Sequence, residues 1–294
     1  RDVTGVQTCA LPISEMLIVI GRNRARLICI LIALLIVIDM SQMLLLTAAR
    51  AVIATVSGRL VPVYSVLTSE SRVTLTFEEA PGKDMTLEIL EVLGEHNVSA
   101  TFFLSGEWIE QHRDSVNGII QGGHELGNYT YSAIHPNSVP KAELKRELEK
   151  ADKLIEKMTG SSPKAFRPPY GEYSNKVIEA SRELDYETVI WSIDSLDWRG
   201  TSNDDMRKRV AGKLHKGAII RFHVTGNNTW KALPTIITDI REKGFDIVPL
   251  SQLLLEGDYY IHPHTGEMRP IQIPSAGRGE RRGLADETKG QTGS

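Results

Sequence analysis

Apolar and polar positions alternate with two different periods through most of the chain. Short apolar runs rich in β-branched and aromatic residues, such as RVTLTF at residues 72–77, are typical of buried strands. Between them lie longer segments with apolar residues at helical spacing, of which Leu144, Leu148 and Ile155 are an example. Repeated strand-then-helix units predict a parallel sheet covered by helices. The predicted strands are 72–77, 100–104, 165–167, 188–193, 218–222 and 246–248, and the predicted helices are 84–96, 107–121, 141–158, 175–184, 204–214 and 230–243.

The N-terminal segment departs from this pattern. Residues 1–15 resemble translated sequencing adapter, and we predict them to be a non-native leader ahead of Met16. After Met16, arginines at positions 22, 24 and 26 precede an unbroken apolar run over residues 27–38. Basic residues followed by an apolar run are typical of a signal peptide or a membrane anchor, so residues 16–51 are predicted to direct export.

Whether this export segment is cleaved or retained stays open at the sequence level. The apolar run is shorter than the ~20 residues that span a bilayer, and a longer span would carry Asp39 into the membrane. Ala49, Arg50 and Ala51 form a small-x-small pattern that is typical of a cleavage site. Both alternatives place the following domain outside the cytoplasm, either secreted or anchored at the cell surface.

The rest of the chain divides into three predicted parts. A linker over 52–71 leads into an α/β domain over 72–256, and residues 257–294 are predicted to be a disordered tail, because their end is nearly free of large apolar residues. Both cysteines, Cys9 and Cys29, precede the domain, which excludes a disulfide framework and a thiolate metal site within it. A net charge of −3 provides no basic face for nucleic acid.

Polar side chains follow several predicted strands at the point where each strand ends. Because parallel strands deliver their carboxyl ends to one face, these side chains are expected to converge. Together they suit hydrolysis, in which a carboxylate takes a proton from water, a histidinium protonates the leaving group, and an arginine and a second carboxylate orient the pair. A metal would polarise the scissile carbonyl. The residues concerned are Glu78, Glu79, Arg167, Asp194, Asp197 and His223.

Five ordered motifs carry a resemblance to a known family. TFEEAP at 76–81 stands where that family has T-F-D-D-G-P, and RPPYG at 167–171 and DSLDW at 194–198 match its later motifs. FH at 222–223 is similar to its L-x-H, and GHELGN at 123–128 matches the lead-in to its metal loop. Over about residues 64–260 the chain resembles the polysaccharide deacetylases with a NodB-homology domain, carbohydrate esterase family 4. Within that family it is most similar to the exported branch associated with sporulating Gram-positive bacteria.

The resemblance implies a distorted (β/α) barrel that removes N-acetyl groups from a β-1,4-linked amino-sugar polymer. It makes Glu78 the general base, oriented by Arg167, and His223 the general acid, tuned by Asp197, with Asp194 beside them. The substrate-binding residues that it implies are Pro169, Tyr170, whose backbone N–H would face the oxyanion, and Trp198, which would line the groove.

The metal loop is where the chain departs from the family. The two histidine positions of the family, four residues apart, hold Tyr129 and Ala133 here. Alanine cannot coordinate, and a tyrosine phenol with a pKa of ~10 is a poor ligand. The resemblance makes Glu79 the metal carboxylate, and His135, two residues beyond Ala133, is the other predicted ligand; together they are one fewer than the three protein ligands that a catalytic zinc normally keeps. The resemblance implies zinc or cobalt in an active enzyme and no metal in an inactive one.

Three functions stay open on the sequence. The first is a deacetylase-type hydrolase that acts on peptidoglycan or a chitin-like glycan, with activity impaired by the altered metal loop. The alternative is a catalytically inactive protein that binds cell-wall glycan on the deacetylase fold. A third is a metal-independent hydrolase that uses Glu78 and His223 alone. The expected partners are cell-wall polysaccharide and, through the N-terminal segment, the membrane.

Overall fold

The computed structural model describes residues 58–271, together with residues 31, 34, 36, 37 and 40–42, which are helical. The chain divides into two compact units, residues 1–58 and 59–294. The predicted leader over 1–15 lies outside the described residues, as does most of the predicted export segment over 16–51. Among the residues that are described, none of the helices has both the length and the apolar character needed to cross a membrane.

The second unit is an alternation of strands and helices, as the sequence pattern predicts. Its strands are β1 (Ser65–Val66), β2 (Arg72–Glu78), β3 (Thr101–Leu104), β4 (Glu125–Asn128), β5 (Ala165–Phe166), β6 (Glu187–Thr188), β7 (Ile193–Asp194), β8 (Ala218–His223), β9 (Asp246–Ile247), β10 (Tyr259–Ile261) and β11 (Glu267–Pro270). Its α-helices are α1 (Thr86–Glu95), α2 (Gly106–Gln111), α3 (Arg113–Gln121), α4 (Lys141–Thr159), α5 (Asn175–Arg182), α6 (Asn203–Lys213), α7 (Thr229–Glu242) and α8 (Leu250–Leu253).

The strands form one sheet in the order β10-β11-β1-β8-β2-β3-β4-β5-β6, while β7 pairs with β8 and β9 pairs with β2. The pairs from β8 through β6 are parallel, which confirms the predicted α/β sheet. The longest pairing joins β2 to β8, from Val73 opposite Ala218 to Glu78 opposite His223. The two strands therefore end side by side, and their last residues are both polar.

The two faces of β2 explain how the sheet supports a polar site. Successive side chains of a strand point to opposite faces. Val73, Leu75 and Phe77 belong to the main hydrophobic core, where the Phe77 ring stacks on two neighbouring phenylalanines at centroid distances of 4.9 and 5.5 Å. Thr74, Thr76 and Glu78 alternate with them and point to the other face, so the strand ends with a buried carboxylate inside the curve of the sheet.

Two predicted elements are each divided in the structure. The predicted strand 188–193 is two short strands, because the chain leaves its pairing with β5 after Thr188 and joins β8 at Ile193. The backbone carbonyl of Ile190, between them, accepts a hydrogen bond from Arg167 at 3.0 Å. The predicted helix 107–121 breaks at His112 into α2 and α3.

The predicted disordered tail is wrong for residues 257–271, and the rest of it lies beyond the described residues. Strands β10 and β11 form an antiparallel hairpin there, and β11 pairs with β1. Met268 of β11 is buried in a cluster that also packs against Tyr259 and Ile261. The predicted linker is likewise part of the sheet from Val63, which bridges to Val189. Elements this short lack the long apolar pattern that predicts a strand.

Candidate active site

Glu78 lies at the centre of a buried group of charged side chains. It ends β2, is 2% exposed, and both of its carboxylate oxygens are engaged. Oε2 contacts Nη1 of Arg167 at 3.3 Å, and Oε1 contacts Nη1 of Arg221 at 3.2 Å and Nε2 of His223 at 3.3 Å. We call Glu78, Arg167, Arg221, His223 and Asp197, which holds the histidine, the acid–base cluster.

His223 is clamped by Asp197 on the side away from Glu78. Its Nδ1 lies 2.7 Å from Oδ1 of Asp197, and its backbone N–H donates to Oδ2 of the same carboxylate at 2.7 Å. The Thr229 hydroxyl and the Trp198 backbone N–H donate to Asp197 as well, at 2.7 and 3.0 Å. The carboxylate is thereby fixed, and its contact to Nδ1 leaves Nε2 of the imidazole facing Glu78.

The surroundings of Glu78 and His223 favour the charged form of each side chain. Burial disfavours the imidazolium, but the hydrogen bonds to Asp197 and Glu78 raise the pKa of His223 to about 9. Burial also disfavours the Glu78 carboxylate, but the hydrogen bond from His223 and the positive charges of Arg167 and Arg221 hold its pKa below the usual range. At neutral pH the site therefore contains an ionised base beside a protonated acid, as hydrolysis requires.

Arg221 is the residue of the cluster that the sequence analysis missed. It precedes His223 by two positions on β8, so both side chains point to the same face of the sheet. Its Nη2 contacts Oδ2 of Asp194 at 2.7 Å, and its guanidinium lies 3.5 Å from the ring centroid of Trp191. An arginine inside the apolar run AIIRF was the available signal, because a charge in a buried strand needs a partner.

Asp194 joins the site through Arg221. With it, three carboxylates face three cations, since Arg167, Arg221 and the His223 imidazolium balance Glu78, Asp194 and Asp197. Buried charges are tolerated when they are paired in this way.

Arg167 is itself fully buried at the end of β5. Besides Glu78, it donates to the Thr76 hydroxyl at 2.9 Å, and its guanidinium covers the ring of Phe103 at 4.2 Å. Within the part of the chain that the structure describes, its Nε finds no hydrogen-bond partner, which the aromatic contact partly offsets. The predicted orienting residue is thus in direct contact with the predicted base.

The loop after β4, residues 129–135, contains the positions where the family has metal-binding histidines. We call it the 129–135 loop. Tyr129 is 3% exposed, and its hydroxyl accepts the backbone N–H of Tyr170 at 3.2 Å. Burial, followed by the negative charge of Glu78, raises the pKa of Tyr129 well above its ordinary value, so the phenol is neutral. Ala133 contributes only a methyl group.

The two predicted metal ligands are engaged elsewhere. The Glu79 carboxylate accepts the backbone N–H of Ser105 at 2.7 Å, and burial raises its pKa. His135 has a side chain that is 58% exposed; its Nδ1 lies 3.0 Å from Oε1 of Glu172, and its ring stacks on Tyr170 at 4.3 Å.

The described residues contain no group of three or more histidine, cysteine, aspartate or glutamate side chains suited to hold a metal. A neutral phenol and a methyl group at the two histidine positions explain this, because neither supplies the ligand chemistry of a catalytic zinc. The residues present therefore do not fit the metal that the resemblance implies.

The predicted substrate-binding residues divide by exposure. Tyr170 and Trp198 are 55% and 50% exposed, and such aromatic faces suit contact with sugar rings. Pro169 is buried and shapes the turn Pro169–Gly171 without offering surface to a ligand. Tyr170 has φ +61°, a left-handed conformation that is uncommon outside glycine and is typical of functional turns.

Comparison with known proteins gives this site a family context. The family model described as polysaccharide deacetylase matches residues 66–189. A peptidoglycan-N-acetylglucosamine deacetylase of Bacillus cereus is 36% identical over 191 residues, which cover 63% of this chain and 69% of the relative. The uncharacterized protein YlxY of Bacillus subtilis is 31% identical over 195 residues, and the match spans 66% of this chain and 61% of that protein.

Solved structures give the same result for the fold. A pseudoenzyme of the CE4 family from Bacillus anthracis superposes with a TM-score of 0.63 at 31% identity, covering 66% of this chain and 68% of that one. A mutant described as a CE4 family pseudoenzyme with restored enzymatic activity also superposes with a TM-score of 0.63, at 32% identity, covering 66% and 71%. The curved sheet and its helices are thus the predicted NodB-type distorted (β/α) barrel, and the chain belongs to the polysaccharide deacetylase family.

Proposed function

We propose that this chain is a deacetylase-type hydrolase of N-acetylated cell-wall glycan, in which turnover is impaired because the 129–135 loop lacks a metal-ligand set. The observation that carries the proposal is the contact between ionised Glu78 and protonated His223, with Asp197 behind the histidine. Peptidoglycan is the substrate that the names of the Bacillus cereus relative and of a Bacillus subtilis N-acetylmuramic acid deacetylase support.

The acid–base cluster performs the two proton transfers of amide hydrolysis. Glu78 takes a proton from water, whose oxygen attacks the acetyl carbon. His223 then protonates the sugar nitrogen as the carbon–nitrogen bond breaks, leaving acetate and a free amine. Arg167 and Arg221 hold the base in place, and Asp197 holds the acid. Both side chains are therefore positioned before the substrate binds.

Release of acetate from N-acetylated peptidoglycan tests the proposal. Loss of a positioned general acid typically costs about 10²–10⁴-fold in rate, so His223→Gln is expected to lower acetate release by at least about 100-fold. His262→Gln is the matched control, because His262 lies in the β10–β11 turn region, bonded to Thr265. Equal release by wild-type chain and His223→Gln, above the protein-free background, would contradict the assignment of the acid.

A second function, glycan binding without turnover, is favoured by one specific observation. Tyr129 and Ala133 leave the buried part of the 129–135 loop without a ligand, while the exposed rings of Tyr170 and Trp198 still offer a sugar-binding surface. Co-sedimentation with insoluble peptidoglycan, together with the acetate assay, separates the two. Retention on glycan with no acetate above the protein-free background would assign the chain to this second function.

Export to the cell surface is also part of the proposal. The basic residues and apolar run within residues 16–51 support a signal peptide or a membrane anchor. Fractionation of cells that produce residues 16–294 tests this. Recovery from medium or membranes supports export, and a shortened N-terminus indicates cleavage. Recovery from the cytoplasm alone would contradict it.

A further inference from the structure

The hydrogen bond between Tyr170 and Tyr129 joins two unusual features of the site. The Tyr170 backbone N–H is held by a left-handed turn, and it donates to the buried Tyr129 hydroxyl at 3.2 Å. Strained backbone of this kind persists only where surrounding structure enforces it. The phenol is thus placed against a donor whose direction is fixed by the turn.

The same phenol lies beside the residues that would perform the chemistry. The charges of Glu78, Glu79 and Arg167 all act on it, so its oxygen is within electrostatic reach of the proposed base. A backbone N–H whose direction is fixed is the kind of donor that binds the carbonyl oxygen of a substrate. In this chain that donor already has an acceptor.

We propose that the Tyr129 hydroxyl occupies the position where the carbonyl oxygen of an N-acetyl group would bind, so that an acetyl group must displace the phenol before it is seated and N-acetylated glycan binds less tightly than its deacetylated form. The inference rests on the proposed function, since it concerns how the same groove meets the same glycan. The inference makes Tyr129 a specificity-determining residue. A tyrosine where the family has a histidine then has two effects: it removes a metal ligand, and it fills the position of the substrate carbonyl oxygen.

Packing holds the phenol where it is. The Tyr129 side chain belongs to a buried cluster with Phe103 and Val189. The following backbone is tied down as well, since the Thr130 N–H donates to the Asn128 side chain at 2.8 Å. The Glu147 carboxylate accepts the next two backbone N–H groups, at 3.1 and 2.8 Å. A substrate carbonyl would have to displace a packed ring from an anchored loop, at the cost of buried apolar contact.

The substitution Tyr129→Phe tests the inference, because it removes the oxygen and keeps the ring. We would measure the affinities of the full chain for chitotetraose and for its N-deacetylated counterpart, and follow the Tyr170 amide signal by NMR. The quantity compared between wild type and variant is the affinity for the acetylated ligand divided by the affinity for the deacetylated ligand. The charged amines of the deacetylated ligand affect both proteins alike, so their contribution cancels in this comparison. Tyr131→Phe is the matched control, because that hydroxyl donates to Glu110 at the surface.

The expected result is a shift toward the acetylated ligand in Tyr129→Phe alone. One gained hydrogen bond corresponds to about a 3- to 10-fold change in the affinity ratio. Chitotetraose should then move the Tyr170 amide signal in this variant and leave it unmoved in wild type and in Tyr131→Phe.

Two results would overturn the inference while leaving glycan binding intact. An unchanged ratio would mean that the phenol does not occupy the carbonyl position. A ratio that falls in Tyr129→Phe would mean that the phenol donates to the acetyl group. Failure of every protein to bind either oligosaccharide would overturn the proposed function, and this inference with it.

Discussion

The acid–base cluster and the 129–135 loop are two halves of one site with opposite characters. In the cluster, each charged group has a partner of opposite charge, and the side chains come from the adjacent strands β2 and β8 and from the segments that follow β5 and β7. In the loop, the buried position holds a neutral phenol bonded to a backbone N–H, and His135 stacks outside on Tyr170. The halves are built on different elements, so one can lose its ligands while the other keeps its geometry.

The difference also concerns how each half tolerates change. A buried charge network fails when one member is removed, because the remaining charge is left unpaired. The loop is anchored through its backbone instead, since the Glu147 carboxylate holds the N–H groups of Tyr131 and Ser132 whatever their side chains are.

Restoring the histidines is the largest change that the comparison predicts. The double substitution Tyr129→His and Ala133→His adds two imidazoles near Glu79 and also removes the phenol. A bound metal contributes several kcal/mol to the transition state, so acetate release with zinc is expected to rise on the order of 100-fold or more. Zinc titration of the same variant gives the affinity directly. No gain in zinc binding would show that the loop backbone, beyond its side chains, has left the metal-binding geometry.

Removing a charge from the cluster is expected to have the next largest effect. Arg167→Met leaves Glu78 without its fully buried partner, and breaking such a pair costs about 3–5 kcal/mol of the free energy of unfolding. Denaturant unfolding measures the loss. Arg207→Met is the control, because the Arg207–Asp239 pair lies at the surface, where a pair contributes less than about 1 kcal/mol. Similar losses in both variants would contradict the buried-network account.

The pH dependence of stability sharpens the comparison further. The pKa of His223 is about 9 in the folded chain against an ordinary value of 6.5. A raised folded pKa means that protonation favours the folded state, so this stabilisation is complete below 6.5 and is lost as the pH rises through 9. It amounts to about 3 kcal/mol. Unfolding curves at about pH 6 and about pH 9.5 should therefore differ more for wild type than for His223→Gln. Equal differences would contradict the paired state of His223.

The smallest effect is expected in the loop. His135→Ala removes an exposed ring that contacts Glu172 and Tyr170, and such pairs contribute about 1 kcal/mol or less to stability. Acetate release with added zinc should change little in the natural background, because His135 stands outside the cluster. A loss of zinc-stimulated release comparable to that of His223→Gln would make His135 a ligand after all.

The polar residues at strand ends were the part of the site that the sequence could predict. β2 and β8 are the two longest strands, each ends in a polar residue, and parallel pairing places such ends together. Glu78 and His223 are accordingly adjacent in the sheet. Arg167 joins them because β5 ends at the same face.

The remaining features depend on contacts that no local pattern encodes. Arg221 lies in the middle of an apolar run, and its role follows from Glu78 and Asp194, which are distant in sequence. The β10–β11 hairpin is ordered by pairing with β1, since its own strands are too short to carry a periodic signal. The acceptor of the Tyr170 N–H could not be predicted either, because it depends on the fold bringing two loops together.

The central claim is that the acid–base cluster acts independently of the 129–135 loop. Its most direct test is the metal dependence of acetate release by the natural chain. The full chain would be assayed on N-acetylated peptidoglycan with added zinc and again with a chelator. The account predicts the same low release in both conditions, because the cluster acts without help from the 129–135 loop. Release that needs zinc and is abolished by the chelator would contradict it, since the loop would then hold a metal through residues other than the family's histidines.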